Sequence, residues 1–281
     1  MPKQKSKPNP QLEQLEIDSI TPVVQDNDDD LKNDRKGSWI SVSYQPVSLF
    51  SLKRSDATSM AAKTNLVPTP FCIKMTLLKI LIEHEGKANQ ANFSEWIEQQ
   101  FRWIRSLQIY ILPTESLVVN RNGYKIRYFD QITSKSEQGK ASPVLQMQDG
   151  FVFREWIHFD GNLEICCGSQ ERQIDLARLK KLLSQINCLG KRGCFFQYLP
   201  RKTSIELDLP SRFQLTDDPV KLAKGFTIQQ MDDMGEQATF NRINPFSDEP
   251  AKLGRDRIIK TGLLPLWLAE TTTKYDYYKR L

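Results

Sequence analysis

FVFREWIHFDGNLEICC, residues 151–167, carries the plainest strand–turn–strand pattern in the chain. Phe151, Phe153, Ile157 and Phe159 alternate with Val152, Arg154, Trp156 and His158. A period of two places the first set on one face of a strand and the second on the other. The apolar set reads as core-facing, and the Arg-Trp-His set as an open face. Asp160-Gly161 supplies the turn, and Leu163–Cys167 runs back. Downstream, Arg172–Asn187 has Leu176, Leu179, Leu183 and Ile186 at helical spacing. Gly190-Lys191-Arg192-Gly193 then leads into a strand at Cys194–Leu199. Upstream, Leu107–Leu112 alternates as a strand, Pro113 stops it, and Leu117–Asn120 resumes extended structure.

Two helices precede these strands. Thr69-Pro70 opens the first with a good N-cap and a proline suited to the first turn. Its apolar stripe includes Phe71, Met75, Leu78 and Ile82. Asn92, with Glu95 three residues on, opens the second in a capping-box-like arrangement. The first strand is Trp39–Phe50, followed by a polar loop holding Lys53, Arg54 and Lys63. The order is strand, helix, strand, elaborated hairpin, strand, helix, strand. That is the βαββαβ order of an α+β, ferredoxin-like (RRM-like) sandwich over residues 37–200. Residues 114–150 read as a projecting hairpin or loop. Asn122-Gly123 is expected to turn its hairpin, with Arg121, Lys125 and Arg127 around it, Tyr124 at its tip, and a polar loop at Gln131–Gly150. Residues 201–281, with Pro210, Pro219, Pro245, Pro250 and Pro265, are expected to form a smaller, strand-poor lobe.

Of 281 residues, 39% are hydrophobic and 26% charged, and mean hydropathy is −0.50. This is a globular composition, with no run near the ~20 apolar residues of a membrane helix. Met1–Pro10 lacks the apolar stretch of a secretory signal. Residues 1–36 hold four prolines and the acidic run Asp26, Asp28, Asp29 and Asp30, and read as a disordered tail. Within it, Leu12–Ile20 could form a short helix on a partner. Five cysteines without a C-x-x-C spacing argue against a disulfide framework or zinc site and for a cytoplasmic protein. The tail carries six Lys/Arg and eight Asp/Glu, so the remaining residues carry 33 and 26, a net of +7. A mildly basic body fits a polyanion partner.

Catalytic signals are weak. With only two histidines, His84 and His158, no His-based triad or metal centre is marked. P-loop, Rossmann, zincin and nucleophile-elbow patterns are missing. The expectation is no catalytic residue, no metal and no cofactor. The nucleic-acid signals cohere better. Gly190 and Gly193 allow a tight turn whose backbone can approach a phosphate, and Lys191 and Arg192 add charge; the bland alternative is a helix cap followed by a turn. Arg154, Trp156 and His158 on one strand face suit base stacking and phosphate contact. Arg121, Lys125 and Arg127 suit a backbone probe. Lys53, Arg54 and Lys74 complete the cationic set expected to touch RNA.

Several blocks resemble one family. They are Val67-Pro68-Thr69-Pro70-Phe71-Cys72-Ile73-Lys74-Met75, then Leu117-Val118-Val119-Asn120, then Arg154–Gly161, and Leu189–Gln197 with its Gly-Lys-Arg-Gly-x-Phe-Phe-Gln core. They are similar to the RAMP-superfamily subunit of type I CRISPR Cascade that caps the 5′ handle of the guide RNA. The resemblance covers about residues 38–200. It implies a RAMP core with a thumb hairpin at about residues 114–150 and no metal. It also implies a non-catalytic role holding guide RNA (crRNA) beside the large and backbone subunits, with target DNA reached near the PAM end through the complex. The alternative is a metal-independent endoribonuclease acting on repeat RNA, with His84 or His158 as general base.

Overall fold

The computed structural model describes residues 39–57, 61–135, 141–169, 174–214 and 225–281. The expected tail, including Leu12–Ile20, lies outside them. In chain order the elements are β1 (Trp39–Pro46), β2 (Ala61–Ala62), α1 (Pro70–Glu85), α2 (Phe93–Ser106), β3 (Gln108–Leu112), β4 (Ser116–Lys135), β5 (Ala141–Asp160) and β6 (Leu163–Gly168). They continue with α3 (Leu176–Ser184), β7 (Phe196–Glu206), β8 (Thr227–Met234), α4 (Phe240–Ile243), β9 (Arg257–Leu264), β10 (Leu266–Thr271) and β11 (Tyr275–Arg280). The result is a mixed α and β protein whose sheets are mostly antiparallel.

The first sheet has the order β3-β6-β1-β7, and every neighbouring pair is antiparallel. Ile40, Val42 and Tyr44 alternate along β1 and enter the core with Ile73, Leu77 and Leu81 of α1, Phe101 and Ile104 of α2, and Leu179 and Leu183 of α3. The Tyr44 hydroxyl donates to the Leu183 carbonyl oxygen at 2.7 Å, so the buried phenol is satisfied. Thr69 caps α1 as its sequence suggests, accepting from the Cys72 amide at 3.3 Å. Asn92 does not cap α2 through its side chain; a short 3-10 turn over Gln90–Asn92 leads into that helix instead.

The second sheet has the order β10-β11-β4-β5-β2. Its centre is a ribbon in which β4 and β5 pair without a break from Ser116↔Asp160 to Lys135↔Ala141. This corrects three expectations. Asn122-Gly123 is not a turn: Asn122 faces Arg154 and Gly123 faces Phe153, in mid-strand. A two-residue turn there would need positive φ, and Gly123 has none. The glycine answers a different need. A Cβ at residue 123 would lie 2.7 Å from Phe151 Cζ, so the ring occupies the space a side chain would take. Second, most of Gln131–Gly150 is strand, Lys135 ending β4 and Ala141 opening β5. Third, Phe151 and Phe153 are not core. They are 48% and 55% exposed and pack edge to face on the ribbon, 5.1 Å apart, while burial on that face begins at Ile157.

The C-terminal segment is strand-rich rather than strand-poor. β8 and β9 form a two-stranded sheet packed against α1. β10 and β11 extend the second sheet, β11 pairing directly with β4. Two of the prolines that argued against strands sit at element edges: Pro265 falls between β9 and β10, and Pro210 precedes a single 3-10 turn. No helix among the described residues is long and apolar enough to cross a membrane.

Candidate nucleic-acid interface

The Gly190–Gly193 turn joins α3 to β7 and is held from several sides. Gly190 has φ 88° and Gly193 φ 97°, both left-handed values that favour glycine. A Cβ at residue 190 would also meet Phe50 Cε2 at 2.9 Å. The Gly190 amide donates to Cys72 Sγ at 3.1 Å, and the Lys191 amide donates to the Ser51 carbonyl at 3.0 Å. Ser48 closes the other side: its hydroxyl donates to the Gly193 carbonyl at 2.9 Å and accepts from the Phe195 amide at 2.6 Å. The turn is thus rigid, and two of its four amides are used internally. Those of Arg192 and Gly193 have no partner among the described residues and remain available to an anion.

From this turn Lys191 reaches β5. Its ammonium lies 5.0 Å from the centroid of the Trp156 ring, a cation–π contact that ties the turn to the sheet. Trp156 shares its face of β5 with Arg154 and His158. His158, Lys191 and Arg192 are exposed, while Trp156 and Arg154 are half-buried. Arg154 donates to the Phe153 carbonyl at 2.9 Å. Across the ribbon this face continues onto Val118, Asn120 and Asn122, opposite His158, Trp156 and Arg154. A rigid cationic turn beside an open aromatic and imidazole strand face can hold a phosphodiester backbone and stack a base.

No family model matches the chain. A CRISPR-associated protein Cas5 from Archaeoglobus fulgidus is 23% identical over 221 residues, covering 76% of this chain and 87% of that protein. The chain is similar in sequence to that Cas5 protein. Among solved structures, a CRISPR protein from Archaeoglobus fulgidus is matched with a TM-score of 0.33 at 8% identity, over 86% of this chain and 92% of that one. A CRISPR RNA-guided surveillance complex is matched with a TM-score of 0.32 at 11% identity, over 81% of this chain and 90% of that one. Both superpositions are loose.

The other expected contacts fall elsewhere. Lys74 is removed from any RNA surface: it is 2% exposed, bonded to Asp233 at 2.7 Å and to the Arg105 carbonyl at 3.0 Å. A lysine in the middle of the first helix faces whatever that helix covers, and here it covers β8. Arg121, Lys125 and Arg127 lie on the ribbon face opposite Arg154, Trp156 and His158. Arg121 is engaged by Asp276 and by Glu155, and donates to the Thr272 carbonyl at 2.9 Å. Arg127 pairs with Asp149 at 3.1 Å in full solvent, a pair of little energetic weight. Lys53 is exposed in the loop after β1. Arg54 beside it grips Asp56 through two bonds of 2.6 and 2.9 Å, which holds that carboxyl below its usual range.

Sequence reading missed Ser48, whose hydroxyl fixes the turn from a strand end 145 positions away. It also missed exposed Phe195 beside it, which the alternation assigned to a strand without a side. Three of the thiols offer little nucleophilic character. Burial pushes Cys72 and Cys166 up to about 11, and Cys167 further, so all three stay protonated at neutral pH. Among the described residues no cluster of His, Cys, Asp or Glu is placed to hold a metal ion.

Proposed function

We propose that the chain is a non-catalytic guide-RNA-binding subunit of a CRISPR ribonucleoprotein of the type I Cascade kind, gripping the 5′ handle. Its partners would be crRNA, the large and backbone subunits, and, through the complex, target DNA near the PAM. The observation that carries this reading is the Gly190–Gly193 turn, clamped by Ser48 and linked through Lys191 to Trp156. The relationship to Cas5 supports it. The strand order β3-β6-β1-β7, with helices between its strands, supports a ferredoxin-like core beneath the site. The ribbon β4–β5 then takes the place of the thumb.

The turn is expected to act through charge on phosphate, so its removal is read in RNA retention. Lys191→Glu with Arg192→Glu reverses two charges at a site worth roughly 1.5–3 kcal/mol per charge-assisted contact. The double variant is expected to carry at least tenfold less co-purifying RNA at moderate salt, with an unchanged melting temperature. Equal RNA content would reduce the turn to a helix cap. Incubating labelled repeat RNA with the wild-type chain, without metal, tests the absence of catalysis. Specific cleavage lost in His158→Ala or His84→Ala would replace this reading with the endoribonuclease.

A further inference from the structure

We infer that the RNA-binding face does not end at β5 but crosses the second sheet to β11, where Tyr275 and Tyr277 form its far wall. This extends the proposed function and rests on it. The pairing registers set the geometry. Asn120 faces Trp156 on one side and Tyr275 on the other; Val118 faces His158 on one side and Tyr277 on the other. Directly paired residues on neighbouring strands share a face. Two rows therefore run across the sheet, Tyr275–Asn120–Trp156 and Tyr277–Val118–His158. In these two rows rings stand on β11 and β5, and the β4 residues between them, Asn120 and Val118, carry none. The trough between the walls is two strand spacings wide, about 9.5 Å.

The opposite face confirms the sidedness. Leu117, Val119, Ile157 and Phe159 belong to the core, and Tyr278 packs against it, whereas Tyr275, Tyr277 and Trp156 do not. The two walls also carry the same device. Lys279 places its ammonium 5.5 Å from the Tyr277 ring centroid, as Lys191 does at 5.0 Å from Trp156. Tyr275 is oriented by its hydroxyl, which donates to Glu270 at 2.7 Å. On the floor, Asn120 is exposed and its amide has no partner among the described residues. Beside the two rows the carboxylates of this face are Asp160 and Glu270, the first accepting from Ser116 at 3.0 Å and the second from Tyr275; Asp130 shares the face ten residues farther along β4 than Asn120. Paired rings and ammonium groups flanking a floor of Asn120 and Val118 suit single-stranded RNA: each ring offers a stacking surface, each ammonium a phosphate contact, and the Asn120 amide a base edge. Continuity with the Trp156–Lys191 site and the charge of Lys279, Lys191 and Arg154 favour RNA over a protein partner.

The test uses the full chain and a labelled oligouridine containing 4-thiouridine. Photo-crosslinks are expected on β11 peptides as well as on β5. Tyr277→Leu is expected to weaken binding roughly tenfold, whereas Tyr277→Phe, which keeps the ring, binds as wild type. Trp156→Leu and the Lys191/Arg192 double charge reversal weaken it as well. If only the β5 and turn variants matter and β11 collects no crosslink, the face stops at β5 and belongs beyond it to a protein partner; the extension falls while the proposed function stands. If Leu and Phe at residue 277 weaken binding equally, the residue acts through packing and the extension also falls. If no variant on either wall alters binding, the proposed function itself fails.

Discussion

Lys74 holds its charge where almost no water reaches it. Burial lowers its pKa from the usual lysine value and the neighbouring Asp233 opposes that shift, so the ammonium survives because the carboxylate and the Arg105 carbonyl receive it. Lys260 also reaches Asp233, at 3.0 Å. Breaking a buried pair from one side leaves the other charge stranded, at about 3–5 kcal/mol. Lys74→Ala is expected near the low end, about 3 kcal/mol, because Lys260 remains on Asp233. Urea unfolding measures it, and a loss under 1 kcal/mol would mean Asp233 is solvated. At this scale the sequence is legible for residues whose role is local. Thr69 as a cap and Gly190 as a left-handed residue follow from their neighbours. Lys74 and Ser48 do not, because their partners lie 159 and 145 positions away.

The β4–β5 ribbon shows how an element can override its local signal. Asn-Gly favours a turn by about the conformational preference of two residues. Against it stood an unbroken ladder of pairs from Ser116 to Lys135, each adding hydrogen bonds and cross-strand contact. At roughly 3.3 Å per residue this ribbon is on the order of 60 Å long. The extended run at 117–120 and the alternation at 151–159 are readable; how far the pairing runs is not, since polar residues at 131–150 carry no periodic signal. Gly123 leaves the rings of Phe151 and Phe153 the space a side chain would take, which yields a test. Gly123→Ala should cost about 1 kcal/mol by displacing Phe151, and much less in a Phe151→Ala background. Additive costs in the double-mutant cycle would show that the ring is not the obstacle.

At the scale of the molecule, the C-terminal strands are part of the same architecture as the blocks that resemble a known family. β11 lies between β10 and β4, and the Arg280 amide reaches back to the Glu115 carbonyl at 2.9 Å. Strand pairing of this kind is invisible to periodicity, because Tyr275, Tyr277 and Tyr278 are informative only once their register is known. A chain shortened to end at Thr271 would expose one edge of β4 and leave β10 without its neighbour. It is expected to lose its cooperative melting transition; a transition like that of the full chain would make β11 an appendage. The position of β11 also governs timing. Val118 meets Tyr277 only after all the intervening sequence has been synthesised, and such distant contacts form late because a long loop must close first. During translation β4 therefore waits with one edge open, so a nascent chain can display its Gly190–Gly193 turn well before its second sheet is complete. A ligand that needs both the turn and that sheet would engage finished protein and pass over unfinished chains.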